Sequence, residues 1–413
     1  RLVMSDPIKT HRARTSVPPR SPDTVMKLDR MGSFHQCRLS FMRQLLRRLK
    51  SEAWRFEVPA FDINQRGVGH AVYCAHGPER SYSLVAFAHD LPDEMRSDRV
   101  IATAWDATFT LFDGVPDADD IARLSQNVPK QETGRITDSE LSLSRANRSV
   151  RMWDHVVEQL AAGHQPDVQK VTDVGYLMRT TAVYGSGKFG AADREYLDNR
   201  EECRGPFQVE MLSVFLTRAF VMDLVEHMAR MRSPETAVKL DPALRRRFGI
   251  GNSTGLGMAP FLLTHPALLN AWIGAREEAL ARVRSLPKAS EAEVQQFRQM
   301  VSRARLHVSA WRSEHPIQIE KLKALRADLD AVQNHIDGLD LRVDQPWHRL
   351  WLWAEEALSL EGQEQLVSLL MEPYGALVDG LCTCMAADEF ATWRIDGTMT
   401  LPELRRIIEE VYG

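Results

Sequence analysis

The sequence predicts an α+β protein that is predominantly helical, with a small antiparallel β-meander followed by a large helical body. Apolar and polar residues alternate between about residues 54 and 113, which is typical of half-buried strands. After Val115 the apolar residues recur at helical spacing instead. Helix-start residues precede several of these later segments, at Asp117, Ser290 and Pro402. The sheet is therefore expected at about residues 54–113, with helices after it.

Four candidate strands make up the β region. Residues 64–67 and 77–80 separate the first three strands and are rich in turn-forming residues. Because short connections join neighbouring strands, we expect an antiparallel meander, with His76 opposite Ser81 if residues 77–80 form a four-residue loop. The candidate strands are Trp54–Ile63, Val68–His76, Ser81–His89 and Arg99–Phe112.

Segments with helical periodicity fill most of the remaining chain. Residues 291–335 are rich in charge and are interrupted at Pro316, which predicts two helices in an antiparallel hairpin. This hairpin either closes within the monomer or serves as the dimerisation arm of a homo-oligomer. Trp347 and Trp351 lie about one helical turn apart, so we expect both in the core. The candidate helices are Phe34–Lys50, Ala118–Gln126, Asn147–Ala162, Pro206–Arg232, Ala259–Ser285, Glu291–Arg312, Ile317–His335, Trp347–Leu358, Glu364–Met371 and Pro402–Val411.

Charge and periodicity divide the chain into four regions. Residues 1–55 contain 13 Lys and Arg against 4 Asp and Glu, so the N-terminal helix is basic and amphipathic. Such a helix binds nucleic acid or an acidic partner, or it packs one face on the body and solvates the other, and we favour packing. The expected regions are a mobile basic arm at 1–30, a helix with the β region at 31–113, a helical body with glycine-rich loops at 114–286, and a C-terminal helical region at 287–413.

The overall composition excludes several classes of protein. A formal net charge of -4 argues against a general nucleic-acid or membrane-surface binder. The most apolar candidate helix contains four charged or titratable residues, which argues against a membrane span. Five scattered cysteines do not form a disulfide framework, so we expect reduced thiols and a cytoplasmic protein. The sequence does not identify a cofactor.

A glycine-rich loop at residues 249–257 is the strongest candidate for a functional site. Backbone amides in such a loop can point at an anion, and Arg245, Arg246 and Arg247 precede it. We therefore predict binding of a phosphate or carboxylate, with an elaborate capped turn as the alternative. The candidate ligand-binding residues are Gly251, Asn252, Ser253, Thr254, Gly255 and Gly257.

A second glycine-rich loop, residues 185–190, contains Lys188 and follows Arg179. It lacks the hydroxyl residue that holds magnesium in nucleotide triphosphatases, which argues against that class. We predict that both loops form one anion site in which Arg179 binds the ligand. Lys188, Tyr184 or His265 would then carry a proton in lyase or transferase chemistry. The alternative is a surface turn with a solvated lysine.

The β region contains a candidate metal site. His70, Cys74 and His76 lie on one face of the second strand because their numbers differ by two. In the expected hairpin register, His89 joins the same face. Imidazole and thiolate ligands suit zinc or iron, although a buried apolar face with satisfied histidines is the favoured alternative.

Residues 143–149 combine Arg145, Asn147 and Arg148 where a helix is predicted to begin. We expect these polar residues to cap that helix rather than to bind an anion.

Three functional hypotheses follow. The first is an enzyme acting on a small anionic substrate or a phosphate-bearing cofactor, bound by the loops at 185–190 and 249–257. The second is a non-catalytic interaction protein that binds a partner or RNA through the basic helix and the helical hairpin. The third is a metal-dependent enzyme that uses the β region.

Overall fold

The structure is a computed structural model that describes five main segments of the chain. These are residues 15–92, 105–183, 195–204, 208–251 and 266–385, except positions 26, 32, 198 and 314, together with residues 94 and 406. The protein is α+β and helix-dominated, as the sequence predicts. Its chain divides into two compact units, which we call the helical unit (residues 1–44 and 259–413) and the sheet unit (residues 45–258).

Several predicted helices begin at the expected capping residues. Asp117 and Ser290 each form a capping box, in which the side chain accepts from the N3 backbone and the N3 acid accepts in return. No helix among the described residues is long and apolar enough to cross a membrane. The predicted helix 402–411, with its start at Pro402, lies outside the described residues apart from Arg406. The helices are α1 Pro22–Val25, α2 Leu28–Met31, α3 Phe41–Ser51, α4 Ala118–Ser125, α5 Trp153–Ala161, α6 Val168–Val174, α7 Glu201–Arg204, α8 Gln208–Arg232, α9 Pro242–Arg245, α10 Pro266–Arg284, α11 Glu291–Ala310, α12 Pro316–Asp337, α13 Pro346–Ala357, α14 Leu360–Met371 and α15 Gly375–Val378.

The sheet has seven strands that lie side by side in sequence order. The predicted meander is confirmed as its first four strands, which are all antiparallel. Beyond them the sheet continues with two further antiparallel strands and a short seventh strand parallel to the sixth. The strands are β1 Arg55–Ile63, β2 Gly69–His76, β3 Ser81–Ala88, β4 Ala107–Asp113, β5 Glu140–Arg148, β6 Tyr176–Val183 and β7 Gly249–Gly251.

The expectation of helix alone after Val115 is wrong at strands β5, β6 and β7. The helix predicted from Asn147 begins only at Trp153, because Asn147 and Arg148 form the end of β5. In β5, the buried Leu141 and Leu143 alternate with polar residues. That alternation is a strand signal of the same kind as in the first four strands.

Each face of the sheet carries a different helix. On one face the long helix α8 packs through Phe220, whose ring meets Tyr73 and Phe109 edge-on at 5.9 and 5.7 Å. On the other face, which we call the α4 face, Leu124 of α4 packs in a cluster with Val85. Since α4 is short, it covers only part of the α4 face.

In the helical unit, a buried carboxylate is paired with three arginines. The carboxylate of Glu364 is fully buried and accepts from Arg20 at 2.8 Å, from Arg30 at 2.7 Å and from Arg276 at 2.7 Å. Arg20 and Arg30 belong to the stretch expected to form a mobile arm, of which residues 1–14 lie outside the described part. The described N-terminal residues thus join the core of this unit through ion pairs.

The helices α11 and α12 form the predicted hairpin within one chain. Arg305 of α11 binds Asp330 of α12 at 2.7 Å, and Arg326 donates to the carbonyl oxygen of Val308 at 3.1 Å. The later residue of α11, Val308, contacts the earlier residue of α12, Arg326, so the two helices are antiparallel. A role for the hairpin in dimerisation stays a prediction.

Trp347 and Trp351 are fully buried on the face they share, as expected.

Candidate functional site

Only part of the predicted anion site lies in the described residues. Arg179 is on β6 and Gly251 is the last residue of β7. The remaining candidates lie outside the described residues and are Tyr184, Lys188, Asn252, Ser253, Thr254, Gly255, Gly257 and His265.

The sheet brings the two described candidates together. Strands β6 and β7 are parallel, and Arg179 pairs with Gly251. In the sequence, one glycine-rich loop follows the end of β6 and the other follows the end of β7. Ligands in open sheets commonly bind outside the carboxyl ends of neighbouring parallel strands, so this is a suitable edge for a site.

Arg179 also lines a small open cavity of about 170 Å³. Arg151 contributes a second cation, and Asp173 contributes one carboxylate. Arg245, which precedes the loop at 249–257, was expected to offer its charge to an anion there. Its charge is paired with Asp223 at 2.9 Å and Glu226 at 3.1 Å. The cavity is lined by Ser149, Arg151, Asp173, Val174, Tyr176 and Arg179.

Arg145 is the most unusual cation of the sheet. It lies in the middle of β5, opposite Thr108 of β4, so the expectation that it caps a helix is wrong. Its guanidinium lies over the ring of Trp105 at 4.7 Å, and its Nε is buried without a hydrogen-bond partner. Among the described residues, its side chain makes no ion pair, and burial lowers its pKa.

Two further polar side chains on the α4 face are buried without hydrogen-bond partners among the described residues. The hydroxyl of Thr108, which is opposite Arg145, is one, although the residue is fully buried. The Nε2 of His89 is the other. Burial lowers the pKa of His89, and the nearby carboxylate of Asp106 offsets this only in part, so the ring is neutral at pH 7. His89 lies just past the end of β3, where its amide donates to the carbonyl of Asp106 at 2.7 Å, and it continues the alternation that puts Phe87 on the α4 face.

Other arginines of the sheet unit form ion pairs with acidic residues. Arg123 binds the buried carboxylate of Glu140, and Arg200 binds Asp113 at 2.7 Å. Buried charges in proteins are generally paired in this way. Among the described residues, the positive charge of Arg145 therefore has no acidic partner, and the hydroxyl of Thr108 opposite it has no hydrogen-bond partner.

The predicted metal ligands are only partly brought together. Cys74 and His76 lie near Glu57 of β1, and one ligand atom from each of the three lies within 4.8 Å of the others. The register is as predicted, with His76 opposite Ser81 and His70 opposite Phe87. Among the described residues, His70 and His89 are not part of this group, and their role as metal ligands stays a prediction.

Known proteins do not identify the chain, because no protein-family model, no curated protein and no solved structure matches it. Sequence reasoning missed Glu57, and it took Arg145 for a helix cap. The alternation of Leu141 and Leu143 with polar residues is typical of a strand, and it indicated that Arg145 lies in a strand rather than at a helix start. The position of Glu57 opposite Cys74 follows a register shift in β1, and Pro59, which lies at that shift, was the available signal because proline within a strand is confined to edges and bulges.

Proposed function

We propose that the sheet unit binds a small anion, a phosphate or carboxylate group of a substrate or cofactor, and that the protein is an enzyme acting on such a compound. The observation that carries this proposal is Arg145, a half-buried cation whose Nε is buried and which has no acidic partner among the described residues. Thr108 lies directly opposite it, and Arg179 lies diagonally from it on the same face.

Energetics favour an anion at this position. Burying a polar group such as the Nε of Arg145 without a hydrogen bond costs about 1–3 kcal/mol in proteins. An anion on Arg145 would offset this cost, since the guanidinium fork matches a phosphate or carboxylate with two parallel hydrogen bonds. The hydroxyl of Thr108 would donate to the same ligand, and Arg179 would add a second positive charge.

A candidate proton carrier lies on the same face of the sheet as the proposed site. His89 is neutral because burial lowers its pKa, and its Nε2 has no hydrogen-bond partner. A neutral imidazole can accept or donate a proton near pH 7. We include His89 with Lys188, Tyr184 and His265 as candidate proton carriers for lyase or transferase chemistry.

The glycine-rich loops belong to this proposal through their place in the sequence. Both follow strands whose described residues Arg179 and Gly251 are paired. The amides of residues 252–257 and the ammonium of Lys188 would complete the anion site. This part of the proposal rests on the parallel pairing of β6 and β7.

Partner binding through the basic helix has weaker support, because arginines in and before α3 bind acids of the same chain. Arg38 binds Asp379 at 2.7 Å, and Arg48 binds Glu52 at 2.8 Å. A charge that is already paired contributes little to attracting nucleic acid.

Ligand binding tests the proposal directly. The intact protein would be titrated with phosphate, citrate, sugar phosphates and nucleotides in the presence of a chelator, using thermal shift and then calorimetry. A ligand at about 100 times its dissociation constant should add roughly 2.7 kcal/mol to the free energy of unfolding. Arg145→Met should abolish the shift. Arg123→Met, which removes a paired arginine, should retain it.

Two results would contradict the proposal. The first is the absence of any shift with all four ligand classes. The second is a shift that Arg145→Met leaves unchanged. Lys188→Ala separates the loop contribution, because it should weaken a site that the loop completes and leave a site on Arg145 alone unchanged.

A further inference from the structure

The hairpin end of the α4 face carries a second polar cluster, formed by Glu57, Cys74 and His76. Glu57 pairs with Cys74 across β1 and β2, and His76 follows Cys74 by two residues, so all three side chains lie on one face. The anion site proposed above involves strands β4 to β6, whereas this cluster involves β1 and β2. We propose that these three residues bind a divalent transition-metal ion of the zinc class.

The arrangement fits the size of such an ion. Zinc binds sulfur at about 2.3 Å and nitrogen or oxygen at about 2.0–2.2 Å, so tetrahedral ligand atoms lie roughly 3–4 Å apart. The three ligand atoms here lie within 4.8 Å of one another. Glu57 can close the remaining difference by a rotation of its side chain, which is 60% exposed and is held by a hydrogen bond to His76.

The chemistry of the ligands selects the ion. Thiolate and imidazole favour zinc, cobalt or copper, whereas magnesium and calcium prefer sites made of oxygen ligands alone. Three protein ligands leave the fourth tetrahedral position for water or a substrate atom, as in catalytic rather than structural zinc sites.

Neighbouring serines hold two of the ligands in place. The Nδ1 of His76 lies 2.7 Å from the hydroxyl of Ser81, and its Nε2 lies 2.7 Å from Glu57. The ring is thus oriented with Nε2 toward the cluster, which is what an outer hydrogen bond does for a metal-binding histidine. The hydroxyl of Ser83 donates to the carbonyl of Gly114 at 2.6 Å and accepts from the Cys74 thiol at 3.1 Å.

Metal binding must remove the thiol proton. The thiolate rather than the thiol is the metal ligand, so the Cys74 thiol gives up its proton when metal binds. The sulfur–metal bond forms as the sulfur–hydrogen bond breaks, and the proton passes to the buffer. About one proton should therefore be released per metal ion bound at neutral pH.

Cobalt provides the test, because a cobalt–thiolate bond gives a charge-transfer band in the near ultraviolet. The metal-free intact protein would be titrated with cobalt, and zinc would then be added to displace it. The wild type should show the band, and zinc should remove it. Cys37→Ser is the matched control, since it alters a buried cysteine of the helical unit and should leave the band unchanged.

Two site variants decide the outcome. Cys74→Ser should abolish the band, and circular dichroism would show whether it is folded. Glu57→Gln changes an exposed side chain, so it should fold normally, retain the band and weaken cobalt binding at least tenfold.

The proposal is overturned if the wild type shows no band, if Cys74→Ser retains it, or if Glu57→Gln binds cobalt with unchanged affinity. Anion binding in the Glu57→Gln variant should be normal, because the two proposals involve different residues.

Discussion

Replacing Arg145 with methionine should leave the ligand-free protein as stable as the wild type, or more stable. Methionine keeps a long unbranched side chain in place of the arginine stem and removes the charge. The loss of the contact with Trp105 costs about 0.5–1 kcal/mol. Removing a buried, unpaired polar group returns roughly 1–3 kcal/mol. The expected net change is a gain of about 1 kcal/mol in the free energy of unfolding.

Arg123→Met is the matched comparison, because Arg123 of α4 binds the buried Glu140 of β5, the strand that also carries Arg145. Glu140 would lose one charge-assisted hydrogen bond, although Thr137 still donates to it at 2.6 and 2.7 Å. Since Arg123 is 36% exposed, we expect a loss of only about 1–2 kcal/mol. The two variants should therefore shift stability in opposite directions.

Urea unfolding in dialysed, phosphate-free buffer measures both changes. Tryptophan fluorescence and far-ultraviolet circular dichroism would be followed together, and the transition that Arg123→Met moves identifies the sheet unit. A loss of more than about 2 kcal/mol in Arg145→Met would refute the reasoning. Such a loss would mean that Arg145 already has a partner and is not available to a ligand.

Two other predictions concern stability alone. Gly69→Ala should lower the free energy of unfolding by about 3 kcal/mol or more, because φ is +149° and the new Cβ would lie 1.9 Å from a carbonyl oxygen of β1. Thermal unfolding measures this loss. Gly134→Ala is the control and should leave stability unchanged, because a Cβ at Gly134 meets open space. Burial alone would raise the pKa of Glu364, but Arg276 and Arg20 lower it to about 2. The stabilisation from the ionised Glu364 should therefore be complete above about pH 4.5 and be lost as the pH falls toward 2. Glu364→Gln should remove that pH dependence in urea unfolding.

Local signals in the sequence were enough for the first four strands and for most helices. The capping residues Asp117 and Ser290 mark helix starts because their short side chains bond the first free amides. The loop at 77–80 fixes the pairing of His76 with Ser81, so the register follows from loop length. In each case the deciding interaction lies within a few residues of the chain.

The rest of the sheet depends on partners that are distant in sequence. Strand β7 has only three residues, and Tyr176 pairs with Gly249 across more than seventy positions. A segment this short has no periodicity of its own, so only its partner reveals that it is a strand.

The two candidate sites differ in how far the sequence predicts them. Cys74 and His76 were found because two residues on one strand share a face. Glu57 comes from a neighbouring strand beyond a register shift. Pro59 at the shift signals an edge or a bulge, but it does not by itself show that Glu57 faces Cys74.

Arg276 and Arg145 show two different environments for an arginine in one chain. Arg276 is fully buried and bound to Glu364 at 2.7 Å, so its removal would leave a buried carboxylate short of a partner and reduce stability. Arg145 is half-buried and has no acid among the described residues, so its removal leaves no anion behind. If Arg145→Met is as stable as predicted, the charge of Arg145 does not serve stability, and an anionic ligand is the partner that its surroundings favour.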